Sequence, residues 1–182
     1  MGVVGLLLGA FIAAGTSVVH HSWKLAVASA AVFLFIAAGN SLNDYIDREV
    51  DRRAHPNRPI PSGRVRAENA FILSGFMFSL AVGLSLFLDW ISLTIVVVAL
   101  VAMLLYEFNF KRRALSGNLM IAGLTGALFL LGGAVVGVPE RTVIIAAMAF
   151  LATLGREVVK DMEDMESDFD RRTLPQAIGR RR

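Results

Sequence analysis

The 182-residue chain has no cysteine, which excludes disulfides, thiolate metal sites and thiol nucleophiles. Charge is scarce and unevenly spread. No charged side chain precedes Lys24, and none lies between Lys24 and Asp44. The first apolar run has no basic leader and is too long for a signal-peptide core, so it does not read as a cleaved signal. No low-complexity segment interrupts the sequence, and no soluble domain is visible in it.

What is abundant is apolar surface. Hydrophobic residues make up 55% of the chain, and the mean hydropathy is +0.62. A membrane span needs about 20 mostly apolar residues. Six segments qualify, at about 3–19, 25–43, 69–88, 90–106, 118–138 and 142–159. The fold class is therefore all-α, a polytopic transmembrane helical bundle of about six spans. The sequence reads as one domain over 1–182. Runs such as "GLLLGAFIAAG" and "GLTGALFLLGGAVVG" supply the small residues that let helices approach closely in lipid. The tetrapeptide "FLDW" at 87–90 leaves almost no loop, which predicts a tight antiparallel hairpin.

The formal net charge of +3 does not point to nucleic acid. Lys and Arg gather in three places: the loop at 44–68, the loop at 107–117 and the tail from 160. With six spans all three fall on one side, which the excess of basic residues marks as cytoplasmic. Trp23 and Trp90 fall at span ends on the other side, as interface anchors. His20 and His21 lie there too, and His55 is read as loop filling.

Acidic residues are concentrated on the basic side. "NDYIDREVD" at 43–51 and "KDMEDMESD" at 160–168 both read Asp-x-x-Asp-x-x-x-Asp. Each closes an apolar span, and each is followed by Arg-Arg, a Pro and then a Gly. Spacing of i, i+3, i+7 puts three side chains on one helical face. Asp44, Asp47 and Asp51 form one ridge, and Asp161, Asp164 and Asp168 form another. A single copy beside arginines is equally a salt-bridged, solvated loop. Two copies at matching span ends argue for a site. All-oxygen carboxylate sets suit Mg²⁺, which takes one or two carboxylates together with substrate phosphate oxygens. Arg48, Arg52, Arg53 and Arg58 beside the first ridge, and Lys160 at the second, match phosphate chemistry. Carboxylates for metal and guanidinium groups for phosphate predict a polyphosphate ligand.

The stretch "NDYIDREVDRRAHPNRPIPSGRV" resembles the first aspartate-rich motif of the UbiA superfamily of intramembrane prenyltransferases. That motif reads N-D-x-x-D-x-x-x-D and is followed by R-P-x-P-S-G. "GREVVKDMEDMESDFDRRTLPQAIG" resembles the second motif, and "LYEFNFKRRALSGNLMIAG" resembles the segment between them. Within the superfamily the pattern is most similar to the archaeal digeranylgeranylglyceryl phosphate synthases. The resemblance implies a bundle of about nine spans around a cavity open to the membrane, Mg²⁺ as cofactor and a prenyl diphosphate donor. It implies a lipid acceptor, geranylgeranylglyceryl phosphate, or in a quinone branch an aromatic carbon. The six aspartates would be the catalytic metal and diphosphate ligands, with Asn43 supporting the first metal site. Arg48, Lys111 and Lys160 match basic positions near the diphosphate, Tyr106 lines the cavity, and Asn118 matches a Gly-Asn element. The sequence stops a little past the second motif, so it reads as a fragment lacking the family's C-terminal third and a short N-terminal piece. The expected setting is the cell membrane with the site facing the cytoplasm, among membrane lipids. Other classes fit less well. The D-G-x-x-A-R opening of CDP-alcohol phosphotransferases is absent, soluble prenyl synthases are less apolar, and an ion or lipid transporter would carry its charges near mid-span.

Overall fold

A computed structural model describes residues 2–111 and 113–163, without the side chains of Ala114 and Glu163. The described residues form seven α-helices: α1 Gly2–Ala14, α2 Ser22–Ile46, α3 Arg48–Ala54, α4 Ala67–Ser85, α5 Trp90–Leu105, α6 Ala114–Val135 and α7 Val143–Glu163. No β-strand occurs among the described residues. The protein is an all-helical bundle whose long helices expose their apolar side chains outward. Phe11, Phe33, Ile72, Phe76, Ile144 and Leu151 are among those exposed. In water such a surface would aggregate, whereas against lipid tails it is the ordinary outer face of an integral membrane protein.

The first helical run, Gly2–Ile46, has 45 residues. Straight, it would be about 67 Å long, roughly twice the hydrocarbon core. It is not straight. Gly15 takes a positive φ of 57°, and a 3₁₀ segment, Gly15–His21, separates α1 from α2. A Cβ on Gly2 would fall against the tip of Ile36 and 3.3 Å from Val32. The start of α1 thus lies beside the later part of α2, and the two are antiparallel. With α4, α5, α6 and α7, five helical runs among the described residues are long and apolar enough to cross a membrane, the first of them folded back on itself between α1 and α2.

Packing follows the small residues. On α6, Gly132 lets the helix meet α1 backbone to backbone, since a Cβ there would fall against the Leu6 carbonyl oxygen and 2.6 Å from the Ala10 nitrogen. Leu6, Ala10, Ala28, Val32, Leu131 and Val135 make a common core between α1, α2 and α6. A second, smaller core joins α2 to α4 through Ala38, Leu42 and Phe78, with Phe35 set edge-on to Phe78 at 5.2 Å.

The connection at "FLDW" is as short as expected, but the tight hairpin is not formed. Asp89 caps α5, accepting from the Ser92 backbone N–H at 3.0 Å and the Ser92 hydroxyl at 2.8 Å. From there α5 diverges, and α4 lies mainly along α2. A cap fixes where a helix starts, while lateral packing follows the apolar faces, and the aromatic face of α4 fits α2.

Candidate functional site

Asp44 lies in the last turn of α2 and Asp51 in α3, with Asp47 at the joint between them. The joint hardly breaks the helix. The Asp47 N–H donates to the Asn43 carbonyl and the Asp51 N–H to the Asp47 carbonyl, both at 2.8 Å. The i, i+3, i+7 ridge expected from the sequence therefore survives.

The three carboxylates have different partners. Asp51 is buried and accepts from Arg58 Nη1 at 2.6 Å. This hydrogen bond holds the Arg58 guanidinium above its ordinary pKa range. Asp47 is half-buried and pairs with Lys111 Nζ at 2.8 Å. Asp44, also half-buried, takes part in no ion pair among the described residues.

Arg58 is delivered by the loop that follows α3. Gly63 takes a positive φ of 76°, which the turn requires. Arg64 closes the loop by donating from Nη2 to the Asn57 carbonyl at 2.6 Å and from Nε to Ser62 Oγ at 3.1 Å. The Pro-x-Pro-Ser-Gly stretch thus lies in a hydrogen-bonded loop that follows the Arg58–Asp51 pair. Two other arginines do not join the ridge. Arg48 donates to the Tyr45 carbonyl at 2.7 Å and stacks on the Tyr45 ring, while Arg52 pairs with Glu49 on the exposed side at 3.1 Å.

The turn between α5 and α6 completes the first half of the site. A π-helical turn, Tyr106–Phe110, ends α5, and the Lys111 N–H donates to the Tyr106 carbonyl at 2.8 Å. Glu107, which the motif reading missed, is buried in this turn. Its Oε1 accepts from Asn43 Nδ2 at 3.2 Å and its Oε2 from Lys111 Nζ at 2.9 Å. The available signal was a carboxylate four residues before a lysine, a pairing spacing. Tyr106 is half-buried, and its ring lies 3.6 Å from the position of a Cβ on Gly117.

Asn118, also buried, donates from Nδ2 to Asp161 Oδ2 at 2.8 Å and so ties α6 to the second acidic motif. Lys160 is exposed in the last turn of α7. Asp164 and Asp168 lie outside the described residues.

Between α2, α5 and α6 is an apolar cavity of about 240 Å³. Phe35, Ile36, Ile95, Ala99, Met103 and Leu128 are among its lining residues, and Asn40 and Thr125 are the polar ones among the described residues. Asn40 sits one helical turn before Asp44, so the cavity's polar end adjoins the ridge.

The donors fit a hard cation such as Mg²⁺. Every candidate is a carboxylate oxygen, and Asp44 has no cation paired with it among the described residues. No group of three or more His, Asp or Glu close enough to cage a metal occurs among the described residues.

Residues 3–182 match the UbiA prenyltransferase family. A digeranylgeranylglyceryl phosphate synthase of Natronomonas pharaonis is 43% identical over 178 residues, covering 96% of this chain and 63% of that protein. The protein of the same name from Methanothermobacter thermautotrophicus is 38% identical over 168 residues, covering 92% and 58%. A solved structure described as giving insights into "the biosynthesis of Digeranylgeranylglyceryl phosphate synthase in membranes" superposes with a TM-score of 0.87 at 33% identity, over 98% of this chain and 64% of that one. An apo structure of a UbiA homolog from Aeropyrum pernix shares the fold, with a TM-score of 0.76 at 20% identity, over 98% and 68%. The chain spans about three-fifths of the length of the curated relatives it matches. Over that length, the chain belongs to the UbiA prenyltransferase family.

Proposed function

We propose that the full-length protein is a Mg²⁺-dependent prenyltransferase of archaeal ether-lipid synthesis. It moves a geranylgeranyl group from its diphosphate to a glycerol hydroxyl of geranylgeranylglyceryl phosphate, at the cytoplasmic side of the cell membrane. The observation that carries this reading is the junction of an apolar cavity with a carboxylate ridge, through Asn40 and Asp44 on one helix. A prenyl diphosphate has the same two parts. The names of the relatives at 43% and 38% identity support the same substrate pair.

In this reaction the C1–O bond to diphosphate breaks, a C1–O bond to the acceptor forms, and the acceptor hydroxyl gives up its proton. The residues divide the work. Asp44, Asp47 and Asp51, with Asp161, Asp164 and Asp168 of the second motif, would hold the metal. When bound, Mg²⁺ supplies Lewis-acid stabilisation of the charge that grows on the diphosphate. Arg58 and Lys111, now spent on Asp51 and Asp47, carry the N–H donors suited to phosphate oxygens. Arg48, Arg52 and Lys160 border the same side and add positive field, and Asn43 and Asn118 orient the acidic residues. The cavity walls exclude water from the allylic carbon as its bond to oxygen lengthens, and Tyr106, expected to line the cavity, stands instead on the π-helical turn beside it.

The test uses the full-length protein, labelled geranylgeranyl diphosphate, Mg²⁺ or EDTA, and a panel of glycerol-lipid and aromatic acceptors. Product identification is expected to give an ether on the glycerol lipid. Asp44→Ala and Asp164→Ala should each abolish transfer, and unchanged turnover in both would sink the assignment of the site.

A further inference from the structure

Glu107 is the buried carboxylate that the aspartate motifs do not explain. Its two oxygens serve different partners. Oε1 accepts from Asn43 Nδ2 at 3.2 Å, and Oε2 accepts from Lys111 Nζ at 2.9 Å. The same ammonium also donates to Asp47 Oδ2 at 2.8 Å. One lysine is therefore shared between a fully enclosed glutamate and a half-exposed aspartate. The Glu107 side chain is 1% exposed and that of Asp47 is 27% exposed.

We propose that Glu107 is a positioning residue for prenyl transfer, acting through Lys111 and Asn43. This inference rests on the reading of the site as a prenyltransferase centre. An ammonium group carries three N–H donors, and here Asp47 and Glu107 take two of them. Among the described residues no ion pair takes the third, which suits a phosphate oxygen. Lysine is a point charge on a flexible stem, so its ammonium stays in one place only if something fixes it. Asp47 is a poor anchor because, as a member of the acidic ridge, it has a cation of its own to hold. Glu107 has no such duty. It sits on the π-helical turn, a distortion found frequently at functional sites, and the turn's Lys111 N–H to Tyr106 carbonyl bond sets the backbone beneath it. Glu107 keeps Lys111 in place when Asp47 turns to the ligand. The same side chain fixes the amide of Asn43, next to Asp44.

The experiment measures kcat and KM for geranylgeranyl diphosphate, and Kd for its unreactive thiolodiphosphate analogue, in the full-length protein. Glu107→Gln keeps the shape and removes the charge. Its expected effect is a kcat lower by about tenfold or more, with Kd for the analogue within about threefold of the parent. In a Lys111→Met background the same change should cost less than about twofold further, because the two residues act as one unit. An equal loss in both backgrounds marks a purely structural role and overturns the inference, as does a kcat within about twofold of the parent in Glu107→Gln alone. If Glu107→Gln does not fold, Glu107→Asp, which keeps the charge but withdraws it, is read in the same way against Lys111→Met. Asp44→Ala is run in parallel. Parent-like turnover there overturns the prenyl-transfer centre and this inference with it. Lost turnover there with intact turnover in Glu107→Gln overturns this inference alone.

Discussion

The Asn118 side-chain amide donates to Asp161 Oδ2 across 2.8 Å, joining the first turns of α6 to the last turn of α7. Lys111, just before α6, pairs with Asp47 at 2.8 Å. The stretch from Lys111 into the first turns of α6 therefore touches both acidic motifs. A chain that must hold two separated carboxylate groups in register gains from having one rigid element bonded to each. Gly117 allows that element to be compact, since a Cβ there would lie 2.9 Å from the Phe110 carbonyl oxygen.

Replacing Asn118 tests this link. Asn118→Leu removes a hydrogen bond to a charged acceptor in a largely buried setting, at a cost of about 1–2 kcal/mol in stability. Asn118→Asp should be worse, because it sets a second carboxylate against Asp161. Thermal unfolding in detergent, read beside prenyl transfer, is expected to rank the proteins parent, Asn118→Leu, Asn118→Asp. An Asn118→Asp protein that matches the parent in both would show that the link contributes nothing.

Arg58 and Asp51 form an unequal pair, with an arginine half in water and a buried aspartate. Arg58→Met leaves that carboxylate without its cation. A fully buried pair broken in this way costs about 3–5 kcal/mol, but the exposure of Arg58 lets solvent screen the loss. The expected cost is about 1–2 kcal/mol. Arg58→Met with Asp51→Asn should recover most of it, because the amide that remains carries no charge. Melting temperatures of the two single variants and the double variant close the cycle, and strict additivity would mean that the pair is not coupled.

These residues also show how far the sequence could be read. The apolar helical runs were legible because charge is confined to the segments between them, and a bilayer turns that pattern directly into geometry. The first ridge was legible because helical periodicity survives the joint at Asp47. What was not legible was the assignment of partners. Arg48 and Arg52 each directly follow an aspartate, closer in sequence than Arg58, yet they bond Tyr45 and Glu49. Spacing along a chain does not say which way a long side chain turns. Glu107 was missed because a lone carboxylate belongs to no repeated pattern. Its role depends on Asn43, which is distant in sequence. The packing of α4 on α2 was missed for a related reason, since a short connection limits separation at one end of a helix and leaves the other end free. Of the second ridge, Asp161 is placed in α7, while Asp164 and Asp168 lie outside the described residues.

The contact of α1 with α6 gives a prediction with an internal control. At Gly132 a Cβ would meet the Leu6 carbonyl oxygen and the Ala10 nitrogen, both of them backbone atoms that cannot rotate away. Gly132→Val forces the helices apart and should cost about 3 kcal/mol, the upper part of the overpacking range. Gly123, on the same helix, has nothing within 4 Å of its added Cβ. Gly123→Ala should stay within about 1 kcal/mol of the parent. Equal melting temperatures for Gly132→Val and Gly123→Ala would contradict the close approach.

The apolar cavity should reveal itself through chain length. Ala99 lines it from α5, opposite α2, and the space is about 240 Å³. Ala99→Phe puts a ring into that space without touching the ridge. A long prenyl tail then loses room, while the diphosphate end keeps its partners. Transfer from geranylgeranyl diphosphate should fall about tenfold or more relative to transfer from geranyl diphosphate, because the ring competes for volume with the distal isoprene units. Measuring kcat/KM for both donors in the parent and in Ala99→Phe isolates this ratio from any general loss of activity. An equal fall for the two donors would mean that the tail lies elsewhere, for the shorter chain would then gain nothing from reaching less deeply into the bundle.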